Sequence, residues 1–201
     1  MKRSTVIILA IVGGILLVGL GIFSWGTSKY NSLVQIDETV NQAWAQVQNQ
    51  YQRRSDLIPN LVEVVKGYAK HEQAVFENVA EARAGVGKLT VTPEVLKDPQ
   101  MFQKFQEAQA GLSGALSRLL AVAENYPQLK ANENFLQLQA QLEGTENRIS
   151  VERKRLNEVV QDYNIRVRTF PTSIIAGMYN FTQKQYFQAE PGTEKAPTVK
   201  F

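Results

Sequence analysis

The sequence predicts an all-α protein, a transmembrane helix at the N-terminus followed by a bundle of four helices, and three observations carry that prediction. No charged residue occurs from Ser4 to Ser28. Beyond that stretch, apolar residues recur at three- and four-residue spacings, the period of a helix with one buried face. Nowhere does a run of alternating β-branched residues reach the length of a strand.

The first element is the apolar run VIILAIVGGILLVGLGIFSW, residues 6–25. About 20 apolar or small positions suffice for a helix to cross a hydrocarbon core of about 30 Å. Residues 1–5 precede it and include Lys2 and Arg3, against Lys29 beyond its far end. Positive charge is retained on the cytoplasmic side, so the expected topology is single-pass in the inner (cytoplasmic) membrane, with the N-terminus cytoplasmic and the bundle extracytoplasmic. Trp25 falls where an indole suits the membrane interface. A cleaved signal peptide is the competing reading, because Ser24-Trp25-Gly26 resembles a processing site. The apolar stretch exceeds the usual h-region, which favours an uncleaved anchor.

The bundle is expected over residues 27–187. A first helix, Thr27 to Arg54, aligns Leu33, Val40 and Val47 on one seven-residue row and Tyr30, Trp44 and Tyr51 on the next. Ser55-Asp56 and Pro59-Asn60 then offer turn and helix-start chemistry. A second helix, Leu57 to Gly85, repeats Leu61, Tyr68, Val75 and Ala82. Gly87 to Pro99, punctuated by Thr90, Thr92, Pro93 and Asp98, is the main loop. A third helix from Pro99 to Asn125 presents Phe102 and Leu116 beside Phe105, Leu112 and Leu119, and ends before Pro127. The fourth, Gln128 to Thr169, keeps a heptad row from Phe135 through Leu142, Ile149, Leu156 and Tyr163 to Phe170, which predicts coiled-coil-like packing. At about 60 Å it outruns its neighbours, and apolar rows left uncovered would favour homo-oligomers. A short amphipathic segment follows Pro171, and residues 188–201 read as a flexible tail whose last residues, Thr198 to Phe201, suit strand-addition binding.

Composition excludes several functions. Cysteine is absent, so thiol catalysis, thiolate metal sites and disulfides are impossible. Setting Lys2 and Arg3 aside leaves 20 basic against 19 acidic side chains, too even a balance for a nucleic-acid surface. His71 is the one histidine. A di-iron bundle needs two Glu-x-x-His pairs, and no nucleophile elbow or phosphate loop occurs. The expectation is no enzyme, no catalytic or metal-binding residues and no cofactor. Polar residues do interrupt the apolar rows. Asp37, Glu72, Glu146 and Arg153 are expected to form one polar core layer, with Glu146 or Glu72 paired to Arg153 or Arg53 because an unpaired buried charge is costly.

Longer stretches carry a resemblance. Tyr30-Asn31-Ser32-Leu33, the run from Gln50 to Val62 (QYQRRSDLIPNLV), Val65 to Glu72, Leu116 to Leu120, Glu124 to Ala131 and Pro197 to Phe201 together resemble the LemA family over essentially the whole chain. The resemblance implies an N-terminally anchored, up-and-down antiparallel four-helix bundle of the bacterial envelope, linked by association to envelope stress and membrane proteases. Its most distinctive stretch falls on the expected turn. Arg53, Arg54, Asp56, Leu57, Ile58, Asn60 and Lys66 are therefore the expected contact surface, at one end of the bundle. The expected function is a membrane-anchored scaffold or adaptor whose partners are membrane lipid and an envelope protein such as a membrane protease. The competing expectation is a sensory or ligand-binding bundle that uses the polar layer.

Overall fold

Helix α1 runs without a break from Arg3 to Tyr68 in a computed structural model of the chain, which describes residues 3–89 and 91–188. Its 66 residues make a rod about 100 Å long. The chain then turns at residues 69–72 into α2 (Gln73–Gly87), crosses through the short 3-10 helix η1 (Pro93–Lys97) and ascends again in α3 (Pro99–Ala123). A single turn, α4 (Pro127–Lys130), leads to α5 (Glu133–Arg168) and α6 (Thr172–Met178). Residues 181–188 return as an extended strap. No strand occurs among the described residues, so the chain is all-α with a long apolar N-terminal helix. Lys2, Thr90 and the tail from residue 189, with Thr198 to Phe201, lie outside the described residues.

Local chemistry explains the starts of α3 and α5. Asp98 caps α3 by accepting from the amides of Gln100 (2.8 Å) and Met101 (3.2 Å), with Pro99 in the first turn, where its missing N–H costs nothing. Asn132 caps α5 by accepting from the amide of Phe135 at 3.0 Å. Asn180, at φ 58°, adopts the left-handed conformation that asparagine tolerates and turns the chain out of α6 into the strap.

The turn expected between Arg54 and Leu57 does not form. α1 passes straight through Pro59, and the stretch expected as one second helix is divided: Leu57 to Tyr68 completes α1, and the reversal comes only at residues 69–72. Proline in a helix interior leaves the carbonyl four residues earlier without its amide donor. Here that carbonyl belongs to Ser55, and it accepts from Arg83 Nε of α2 at 3.2 Å. Gly26 does not interrupt the rod either.

Two apolar clusters fill the interior. The lower one joins Leu33, Val40, Trp44 and Tyr51 of α1 to Leu156, Val160 and Tyr163 of α5, closed by Leu96, Phe102, Phe105 and Phe187. The upper one draws on five helices: Ile58, Leu61 and Val65 of α1, Phe76 and Val79 of α2, Leu112 and Leu116 of α3, Leu129 of α4, and Phe135 and Leu142 of α5. The heptad row of α5 is buried from Phe135 to Tyr163, as its spacing predicts. Phe170 departs from it and is exposed, because α5 ends at Arg168. Below Leu33, α1 meets Arg166 of α5 at Ser32 and α6 with Phe181 at Gly26 and Tyr30, and the large apolar side chains from Ile11 to Phe23 face outward. At its N-terminal end the helix is long and apolar enough to cross a membrane.

Candidate functional site

Between the two apolar clusters lies a polar junction centred on Arg54. Its position follows from the heptad row, because residue 54 continues Leu33, Val40 and Val47 and precedes Leu61, so the side chain must point inward. Arg54 is 2% exposed. Its Nη1 donates to Glu146 Oε1 of α5 (2.9 Å) and to Ser113 Oγ of α3 (2.8 Å), and its Nη2 donates to the side-chain oxygen of Gln109. The guanidinium also lies 5.1 Å from the centre of the Tyr51 ring. Glu146 is about two-fifths exposed, so one partner of the pair is sealed and the other meets water. Arg54 Nε finds no partner among the described residues.

A cavity of about 560 Å³ opens beside this junction between α3 and α5. Arg54 and Glu146 line its upper end, and Gln103, Gln106 and Glu107 of α3 and Arg153 of α5 line it further down. The strap closes one side with Tyr186, Phe187 and Gln188. Two arginines, two carboxylates and several side-chain amides make a lining with both charges and many donors and acceptors. Such a surface matches the alternating donors and acceptors of an extended peptide or of a polar small molecule better than it matches a simple ion.

The strap is itself held by a device of this kind. Asn164 Nδ2 donates to the Lys184 carbonyl and Asn164 Oδ1 accepts from the Lys184 amide, both at 2.9 Å. Asn157 repeats both bonds with Phe187, also at 2.9 Å. Seven residues of helix span about 10 Å, and three residues of extended chain about 9 Å, so two asparagines one heptad apart match every third residue of a strap running antiparallel to α5. Phe187 thereby enters the aromatic group of Trp44, Phe102 and Phe105, and Arg153 lies 4.5 Å from its ring centre on the other side. Arg153 Nη2 donates to the Gln188 carbonyl at 3.2 Å.

Lys184 is buried through the same strap. Its Nζ lies 2.6 Å from Asp37 Oδ1 and 4.8 Å from the centre of the Tyr163 ring. Loss of hydration pushes the Lys184 ammonium below its usual range, and the hydrogen bond and charge of Asp37 oppose that shift. Burial, with the charge of Asp37 added, pushes the Tyr163 phenol up.

The four residues expected to share one layer are therefore spread along the molecule. Asp37 and Arg54 lie 17 residues apart on one helix, about 25 Å, and each has its own partner. Glu72 sits at the upper turn, where Tyr126 Oη donates to it at 3.4 Å. Only Glu146 and Arg153 meet at one site, the cavity. The partner of Glu146 is Arg54 rather than Arg53 or Arg153.

The expected contact surface divides in the same way. Arg54 and Ile58 are buried and Leu57 is half-buried, whereas Arg53, Asp56, Asn60 and Lys66 are exposed along the outer face of α1 rather than gathered at a bundle end. Gln109, Ser113, Asn157, Asn164 and Lys184 stand outside both expected sets. Arg54 carried a signal in its heptad position, but Lys184 carried none, since its partner lies 147 residues away.

The LemA family model matches residues 43–201. Magnetosome protein MamQ 1 of Paramagnetospirillum magneticum is 26% identical over 185 residues, which cover 81% of this chain and 66% of that protein. Magnetosome protein MamQ of Magnetospirillum gryphiswaldense is 24% identical over the same shares. Protein LemA of Metamycoplasma hominis is 22% identical over 175 residues, 87% of this chain and 75% of its own. The chain thus spans about two thirds of the length of its magnetosome relatives.

Proposed function

The chain belongs to the LemA family, and from that premise we propose that it is a non-enzymatic, membrane-anchored scaffold that presents a helical groove to a partner protein of the bacterial envelope. The observation that carries this reading is the continuity of α1 from Arg3 to Tyr68. One rod that leaves the membrane near Trp25 and reaches Arg54 without a joint sets the groove about 45 Å from the bilayer, a spacing a loose tether would not define. The groove beside Arg54 and Glu146 is the contact surface, and the partner segment is extended and polar, in keeping with the lining. A membrane protease, or a protein acting under envelope stress, is a partner of fitting location. Two relatives bear the name of magnetosome proteins.

Site-specific photo-crosslinking in native membranes tests the proposal. A photoreactive residue at Gln106, on the groove rim, is expected to give a discrete protein adduct, and one at Asp56, on the outer face of α1, is expected to give none. Adducts from neither position would sink the scaffold reading. An adduct from Asp56 alone would move the contact to the outer face.

A second reading rests on the size of the cavity, since about 300–1,000 Å³ is the range of small-molecule sites. In that case the groove is a sensory or ligand pocket. Native mass spectrometry of the purified protein would then show an extra bound mass that the substitution Gln106→Trp abolishes.

A further inference from the structure

We propose that α6 and the residues flanking it form a second, lipid-facing contact, seated in the interface of the same membrane that α1 enters. The proposal rests on the reading of residues 6–25 as a membrane anchor and adds to it a surface that comes from the opposite end of the chain.

Position is the first ground. α6 packs against α1 immediately above Trp25: a Cβ at Gly26 would lie 3.9 Å from Ile175 Cδ1, and the rings of Tyr30 and Tyr179 are 4.6 Å apart. A bilayer that holds α1 up to Trp25 must therefore have α6 at its surface. The second ground is composition. Residues 169–183 contain no charge, the longest such stretch beyond the anchor.

Exposure is the third. Ile175 and Ala176 face the bundle, whereas Phe170 (76% exposed), Ile174, Met178 (70%) and Tyr179 face outward. Ile174 and Met178, four residues apart, share one helix face. Large apolar side chains so exposed in one place mark a surface that is covered in use. Its edges name the cover. The approach of Ile175 to Gly26 sets the patch directly beyond the outward-facing apolar side chains of the α1 span, and the charged residues nearest in sequence to Gly26 and Phe170, Lys29 and Arg168, are basic, as suits lipid phosphates. Tyr179 and Trp25 supply rings with one apolar and one polar end, the chemistry of a headgroup boundary. With one attachment along the rod axis and a second beside it, the bundle is held upright as well as tethered.

The absence of cysteine allows a direct test. Single substitutions Leu17→Cys, Ile174→Cys, Met178→Cys and Val151→Cys in the full chain would each carry an environment-sensitive fluorophore, with the protein reconstituted in phosphatidylcholine vesicles containing acyl-chain nitroxide lipids. The expected result is quenching at 174 and 178 as well as at 17, and none at 151, which is exposed on α5 well away from α6. If 17 is quenched while 174 and 178 behave like 151, the lipid contact of α6 is overturned and the anchor stands. If 17 itself escapes quenching, the anchor reading falls and the proposal falls with it. If 174 and 178 are shielded from aqueous iodide yet quench one another in proportion to protein density, a second copy covers the patch, and the lipid contact is again overturned.

Discussion

Arg83 of α2 donates its Nε to the main-chain oxygen of Ser55 in α1, 3.2 Å away, and so satisfies the one carbonyl that Pro59 deprives of its amide. A proline that in isolation would break a helix is carried within a 66-residue rod because a second helix supplies the missing donor. The pairing predicts a coupled mutant cycle. Arg83→Ala is expected to cost about 1 kcal/mol, the worth of one hydrogen bond from a charged donor to an exposed site, and much less in a Pro59→Ala background where the Ser55 carbonyl regains a helical amide. Denaturant unfolding of the four proteins measures it, and equal cost in both backgrounds would show that Arg83 does not compensate Pro59.

The Arg54 junction predicts an asymmetry. Glu146→Leu leaves a sealed guanidinium with neutral partners alone and is expected to destabilise by about 2–3 kcal/mol. Arg54→Met leaves Glu146 half in water, free to hydrate, and is expected to cost less, with the double substitution well short of the sum. Equilibrium unfolding is the measurement. Additive costs would mean that the two side chains do not depend on each other.

The asparagine pair predicts a pattern of amide exchange. In the parent protein the N–H groups of Lys184 and Phe187 are bonded to Asn164 and Asn157, so both should exchange slowly despite lying outside any helix. Asn164→Ala should speed exchange at Lys184 first, and Asn157→Ala at Phe187 first, each costing about 1–3 kcal/mol through the polar groups left unpaired. Fast exchange at both amides in the parent would show that the strap is not clamped.

Asp37, Lys184 and Tyr163 make the alkaline behaviour specific. The unfolded chain releases the phenolic proton near pH 10, but the native chain, whose Tyr163 titrates higher, retains it. Native protein then binds more protons than unfolded, and stability falls as pH rises above 10. Tyr163→Phe removes that loss. Because Tyr163 Oη has no hydrogen-bond partner among the described residues, the substitution should change stability at pH 7 by less than about 1 kcal/mol and flatten the decline above pH 10. Lys184 acts in the opposite sense: its native value lies below the unfolded 10.5, so between the two its contribution to stability rises with pH. Thermal unfolding of parent and Tyr163→Phe across pH 7–11 checks the sign, and an unchanged slope above pH 10 would contradict it.

The same residues show how far sequence reasoning reaches. The rows Leu33–Val40–Val47 and Phe135 to Tyr163 are buried where their period places them, and the large apolar side chains from Ile11 to Phe23, inside the expected span of residues 6–25, face outward. The candidate site is legible only in fragments: the interrupted rows point to Glu146 and Arg153, and Arg54, expected on the contact surface, stands on the Leu33 row and is buried as that period requires.

What the sequence by itself determined is therefore helicity, the register of the apolar rows and a stretch able to cross a membrane, because each depends on side chains three, four or seven residues apart on one helix. Tertiary structure alone decided that Pro59 lies within a helix, which arginine meets Glu146, that Lys184 is buried, and that residues 181–188 climb back along α5. Each of those outcomes turns on a polar group being satisfied by a partner distant in the chain, as Ser55 is by Arg83, and no local pattern records where such a partner will be found.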